Sequence, residues 1–164
     1  VSAAYRVLSD EEKRKAYVTY LMSRADLPRA SAPNVEAEIE LKRGEALMRK
    51  GSWRGALSAF ERAVGFNARE PEYYSFLAWA TFKAGEGTPE QRARAALKLI
   101  KKALTMNPSL ERPQVIRAII EDETGDSAEA RRTLLKLLKE RPGCELAKKV
   151  LQGLSKRHGA GERL

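Results

Sequence analysis

The side chains in this sequence that could do chemistry are few and scattered. There is one histidine, His158, followed by Gly159, and one cysteine, Cys144. Nucleophilic catalysis needs a nucleophile, a base within hydrogen-bond reach and a third group that orients the base. A single histidine in a glycine-containing tail cannot complete that set, and one His with one Cys does not make a metal-ligand cluster. Gly85-Glu86-Gly87 has the glycines of a phosphate-cradling loop but lacks the Lys-Ser/Thr that such a loop requires. The carboxylate run Glu121-Asp122-Glu123 reads as a solvated helix end. The expectation is no catalytic residue, no metal, no cofactor and no enzymatic activity.

Charge offers a second kind of chemistry. The formal net charge is +9, spread unevenly: residues 1–89 hold 14 Lys/Arg against 12 Asp/Glu, and residues 90–164 hold 17 against 10. Arg92, Arg94, Lys98, Lys101 and Lys102 form a basic stripe, and the last three share one helix face at i, i+3 and i+4. Nucleic-acid binding through this basic second half is one reading. The favoured reading is that Lys and Arg cover the solvent faces of amphipathic helices. The cations alternate with core positions, and no aromatic-interleaved basic patch accompanies them. Nucleic acid is therefore the alternative, and a protein or peptide partner the main expectation.

The elements that would position such residues are repeated helix pairs. From Ala37 to Arg69 the pattern is helix, turn, helix, with Leu41, Gly44, Leu47 and Met48 on the first helix and Ala56, Phe60, Ala63 and Val64 on the second. The turn is Lys50-Gly51-Ser52-Trp53. Small residues at Gly44, Ala56 and Ala63 let two backbones approach, and Leu47, Trp53 and Phe60 fill the space beside them. Gly85 follows Gly51 by 34 residues, and Pro142 follows Pro108 by 34. Gly125 follows Gly85 by 40, which is 34 plus six extra residues expected in the second turn. The units are 37–70, 71–110 and 111–144. The apolar spacing of Leu146, Val150, Leu151 and Leu154 predicts a further helix over 145–157, covering the last edge, before a tail at 158–164.

Ala56-x3-Phe60 with Gly44, Gly51 and Ala63 resembles the tetratricopeptide repeat (TPR), a 34-residue helix–turn–helix unit. The resemblance implies an all-α solenoid, an α–α superhelix with a C-terminal capping helix and an N-terminal helical arm. It also implies that each first helix lines a concave groove. Glu38, Leu41, Glu45, Met48 and Arg49 would face it from the first unit. Glu72, Ser75, Trp79, Phe82 and Lys83 would follow from the second, then Arg112, Val115, Ile119, Asp122 and Glu123 from the third. Trp79, Phe82 and Ile119 would form its apolar centre, with Trp79 and Phe82 anchoring an extended or helical segment. TPRs that clamp the C-terminal carboxylate of heat-shock chaperones use Asn and Lys on first helices. Here Asn34, Asn67 and Asn107 lie outside the expected first helices and Glu45 opposes a carboxylate, so no such clamp is expected.

Ala4-Tyr5-Arg6-Val7-Leu8-Ser9-Asp10 and Glu12-Lys13-Arg14-x-x-Tyr17 resemble the C-terminal end of a DnaJ-type J-domain. That resemblance implies the TPR part of a DnaJ-like co-chaperone or signalling scaffold, with residues 1–27 a truncated J-domain end. The family's His-Pro-Asp loop is absent here, so a heat-shock chaperone would be a partner only through the missing part of the J-domain. Residues 28–36, with Pro28 and Pro33, read as a linker, and Asn34 as the N-cap of the first repeat helix. Tyr17, Tyr20, Leu21 and Met22 could dock in the groove of the same chain or a second copy, giving a dimer. The lone cysteine reads as a partly buried residue of a protein in a reducing cytoplasm. No apolar run approaches the roughly 18–20 residues a membrane span needs.

Overall fold

The computed structural model describes residues 32–159, and seven helices make up its regular structure. They are α1 (Ala32–Arg49), α2 (Trp53–Phe66), α3 (Pro71–Ala84), α4 (Pro89–Met106), α5 (Glu111–Glu123), α6 (Ser127–Glu140) and α7 (Glu145–Gly159). The J-domain resemblance and the docking arm at residues 1–27 lie outside the described residues, as does the tail beyond Gly159.

The helices pack as pairs in series: α1 with α2, α3 with α4, α5 with α6, and α7 closing on α5 and α6. α3 reads PEYYSFLAWATFKA, nearly apolar all round, and so it is buried on more than one side. Tyr73, Phe76, Leu77 and Ala80 join α1 and α2 in one core cluster, while Ala78 and Phe82 join α4 and α5 in the next. α5 repeats the arrangement: Ile116 and Ile120 face α4, and Val115 and Ala118 face α6 and α7.

Close approach within the first pair depends on Gly44. A Cβ there would sit 2.6 Å from Cδ1 of Phe60 and 2.8 Å from Cζ, and closer still to Cε1. Phe60 is 0 % exposed and stacks on Phe76 with centroids 5.3 Å apart, so its ring is held in place by packing.

Helix starts differ from expectation in two places. α1 begins at Ala32, so residues 32–36 are helix rather than linker, and Asn34 lies inside the helix rather than at its cap. Pro33 is compatible because a first-turn proline gives up no helical hydrogen bond. The six extra residues of the second unit do not stay in the turn. Four lengthen α4, which has 18 residues where α2 and α6 have 14 each. The cause is a capping box: the Gln91 amide donates to Thr88 Oγ1 (3.3 Å) and the Thr88 amide donates to Gln91 Oε1 (2.9 Å), with Pro89 at the first helical position. The left-handed turn glycine of this unit is accordingly Gly87 (φ 92°) and not Gly85, which ends α3 in an extended conformation at φ −63°. Gly51 (φ 74°) and Gly125 (φ 97°) take the expected left-handed role.

α7 covers the open edge of the last pair with Ala147 and Leu154 buried and Val150 and Leu151 half-buried. Leu146, expected on that apolar side, is 44 % exposed. Ala147, one position on, shares the helix face of Val150, Leu151 and Leu154 and takes its place in the core.

Candidate peptide-binding surface

The first helices α1, α3 and α5 and the closing helix α7 lie side by side, and polar contacts tie each to the next. Tyr73 donates its hydroxyl to Glu38 (3.4 Å), and Arg112 Nε donates to the Glu72 carboxylate. Lys83 Nζ donates to both oxygens of Glu123 (2.7 and 2.8 Å). Arg157 reaches Asp122 at 2.9 Å, and the Ser127 hydroxyl donates to the same carboxylate at 2.7 Å. Burial, and then the Glu38 carboxylate, push the Tyr73 phenol above its ordinary pKa, so it stays a donor.

Several expected groove residues are placed in the core. Leu41, Ser75, Phe82 and Val115 are 6, 0, 7 and 0 % exposed. Leu41, on α1, packs into the first cluster, and for the other three the reason is the double duty of α3 and α5. Each packs against neighbours on opposite sides, which leaves a narrow exposed arc and turns inward the positions that a lone helix pair would present. Phe82 is thus a floor residue beside Ile116 and Ile120, not an exposed anchor. Glu45, Met48, Trp79, Lys83, Arg112 and Ile119 are half-buried and Arg49 is exposed, so these seven remain at the surface. Of the other groove positions, Glu38 and Glu123 are exposed and Glu72 is half-buried, while Asp122 is buried.

Trp79 has a partner that sequence reasoning assigned only to turn packing. Trp53, the first residue of α2, meets it edge-on at 6.1 Å between centroids and an interplanar angle of 88°. Phe82 lies beneath Trp79 at 6.0 Å, and Lys83 Nζ stands 4.6 Å from the Trp79 ring centroid. The available signal was compositional: Trp53 and Trp79 are the two tryptophans of the chain. What sits here is a half-buried aromatic step with a cation at its rim, an arrangement suited to an apolar side chain.

Charge divides between the two helix sets. The first helices α1, α3 and α5 carry six Lys/Arg against nine Asp/Glu, while the second helices α2, α4 and α6 carry eleven against four. Lys98, Lys101 and Lys102 of the basic stripe are exposed together on α4, as is Arg94, while Arg92 is half-buried. Lys102 caps the Tyr74 ring at 4.3 Å. Two clefts of about 520 and 540 Å³ lie among α4, α5 and α6, away from the tryptophan step. Among the described residues no group of three His, Cys, Asp or Glu could hold a metal ion, and no helix is long and apolar enough to cross a membrane.

The paired helices, the nearest-neighbour packing and the closing helix define a TPR-type solenoid. The Arabidopsis OM64 TPR domain superposes with a TM-score of 0.61 at 18 % identity, covering 76 % of this chain and 98 % of that one. The first TPR of Spaghetti (RPAP3), bound to the HSP90 peptide SRMEEVD, gives 0.60 at 16 %, covering 76 % and 94 %. The second TPR domain of human RPAP3, in complex with the HSP70 peptide SGPTIEEVD, gives 0.59 at 20 %, covering 75 % and 98 %. At these identities the likeness is one of fold. No family model and no curated protein matches the chain.

Proposed function

We propose that this chain is a non-catalytic protein-interaction module that holds a peptide or helix against its first-helix face. The observation that carries the proposal is the Trp53–Trp79 step. It offers half-buried aromatic area at the edge of the middle core cluster, with Lys83 at its rim. Half-buried tryptophans bounded by charge are the usual anchors of peptide recognition. A DnaJ-like co-chaperone or a signalling scaffold is the wider setting we infer, and the co-chaperone part rests on the resemblance in residues 1–27.

The ligand is not an acidic chaperone tail of the kind held by the two RPAP3 domains. A terminal carboxylate needs several uncommitted cations and amides, whereas Lys83 and Arg112 are already paired with Glu123 and Glu72, which leaves Arg49 alone of the three expected groove cations. The acidic balance of the first helices opposes such a tail further.

Both tryptophans lie at the proposed site, so intrinsic fluorescence reports on it directly. A protein captured by this chain and lost when the bait carries Trp79→Ala should supply a segment whose titration shifts the emission. The peptide SRMEEVD should leave emission and calorimetry unchanged. Capture that is indifferent to Trp79→Ala, with the variant's helical circular dichroism intact, would overturn the site. Binding of SRMEEVD with a Kd near 1 μM, about −8 kcal/mol, would overturn the ligand class.

A further inference from the structure

The clefts among α4, α5 and α6 share Leu104 and Arg117 and so form one continuous channel on the second-helix side. We propose that this channel is a second docking surface, whose occupant is an acidic amphipathic segment of a partner protein, with Leu-like side chains on one face and Asp or Glu on the other. This surface is independent of the tryptophan step.

Three observations favour that occupant. The floor of the first cleft is aliphatic, with Ile100 buried and Leu97 and Leu104 half-buried, and Leu104 and Pro108 carry it into the more polar second cleft, which suits apolar side chains inserted at helical spacing. Two of its four wall cations are uncommitted, against one of its three carboxylates. Glu121 is held by Arg117 at 2.6 Å and by the Thr133 hydroxyl at 3.0 Å, and Glu129 by Arg132 at 2.8 Å. Among the described residues Lys101 and Lys136 have no ion pair, while Glu140 is the corresponding unpaired carboxylate. Finally, α4 and α6 together carry nine Lys/Arg against three Asp/Glu, so the field around the channel is positive.

The same details disfavour a nucleic acid. A phosphodiester backbone places a charge at every nucleotide and would run past Glu121, Glu129 and Glu140 along the walls. The channel lining also offers no aromatic face on which a base could stack. An amphipathic segment avoids both problems by spacing its carboxylates to meet Lys101 and Lys136 and turning its apolar side to the floor.

The test uses the full chain and a fluorescein-labelled helical peptide of leucine, glutamate and glutamine, with leucines at i, i+4, i+7 and i+11. A lysine-for-glutamate version and an oligo-dT of equal length serve as controls. We expect the acidic peptide to bind, the basic peptide and oligo-dT to bind at least tenfold more weakly, and added salt to weaken the complex. Lys101→Glu with Lys136→Glu, both exposed and therefore safe for folding, should weaken it about tenfold further. Tryptophan emission should stay unchanged, because Trp53 and Trp79 line neither cleft. Absence of saturation at millimolar peptide, equal binding of the basic peptide, tighter binding of oligo-dT, or a shift in tryptophan emission would each overturn the proposal. Failure on this surface would leave the tryptophan site standing, since each surface has its own readout.

Discussion

Replacing Gly44 by alanine should destabilise the protein, although the same change in an ordinary exposed helix would stabilise it. Glycine inside a helix costs about 1 kcal/mol relative to alanine, so propensity favours the substitution by that amount. The added methyl, however, enters a space already filled. It would come within 2.8 Å of three ring carbons of Phe60, where ordinary contacts begin beyond about 3.4 Å. The ring has little room to retreat, because it is fully buried and stacked on Phe76. Overpacking of this kind costs about 1–3 kcal/mol. Set against the propensity gain, the net loss should be about 1–2 kcal/mol at the upper part of that range. Urea unfolding followed by circular dichroism measures it, and a double-mutant cycle with Phe60→Leu isolates the cause. Removing the ring frees the space, so in the Phe60→Leu background Gly44→Ala should become neutral or stabilising, a coupling of at least 1 kcal/mol. A Gly44→Ala protein more stable than the parent, or a cycle with no coupling, would refute the account of helix approach given above.

Two further outcomes follow from local geometry. Thr88→Ala removes one half of the capping box that starts α4; it should cost about 1 kcal/mol and speed hydrogen exchange at the Gln91 amide, and unchanged exchange there would show that the cap is dispensable. Cys144 is 3 % exposed, and burial, reinforced by the Glu111 carboxylate, pushes its thiol above the ordinary range. The folded chain therefore favours the neutral thiol; this contribution to stability is fully present below the unfolded thiol pKa of about 8.5 and is lost as pH rises through the folded value. Alkylation by iodoacetamide near pH 8 should accordingly be much slower in the native protein than in urea, and equal rates would contradict the burial.

Much of the architecture was legible because the repeat writes the same small and large residues at the same offsets. Gly44, Ala56, Phe60 and Ala63 are all where close helix approach requires them, and Gly51 and Gly125 are left-handed. The boundaries that misled were set by local competition. Thr88-Pro89 with Gln91 is a helix start, and it outweighed a spacing argument that placed the turn at Gly85. Pro33 read as a breaker, but a proline in the first turn leaves a helix intact. The site was legible only in part. Spacing assigns a residue to a helix face, but how much of that face a neighbour covers depends on three helices at once. Ser75, Phe82 and Val115 were lost to the core in this way. The Trp53–Trp79 contact joins residues 26 apart on different units, and periodicity within one helix carries no trace of it.

Among the described residues the interior is three clusters in a row rather than one mass; α3 and α5 each bury side chains in two of them, and Leu99 of α4 also packs against the first and the middle. The arrangement is that of beads joined by two shared links. A partner laid across α3 and α5 would grip both links at once and stiffen the row from end to end. A partner confined to α4 and α6 would tighten the last two beads and reach the first only through Leu99.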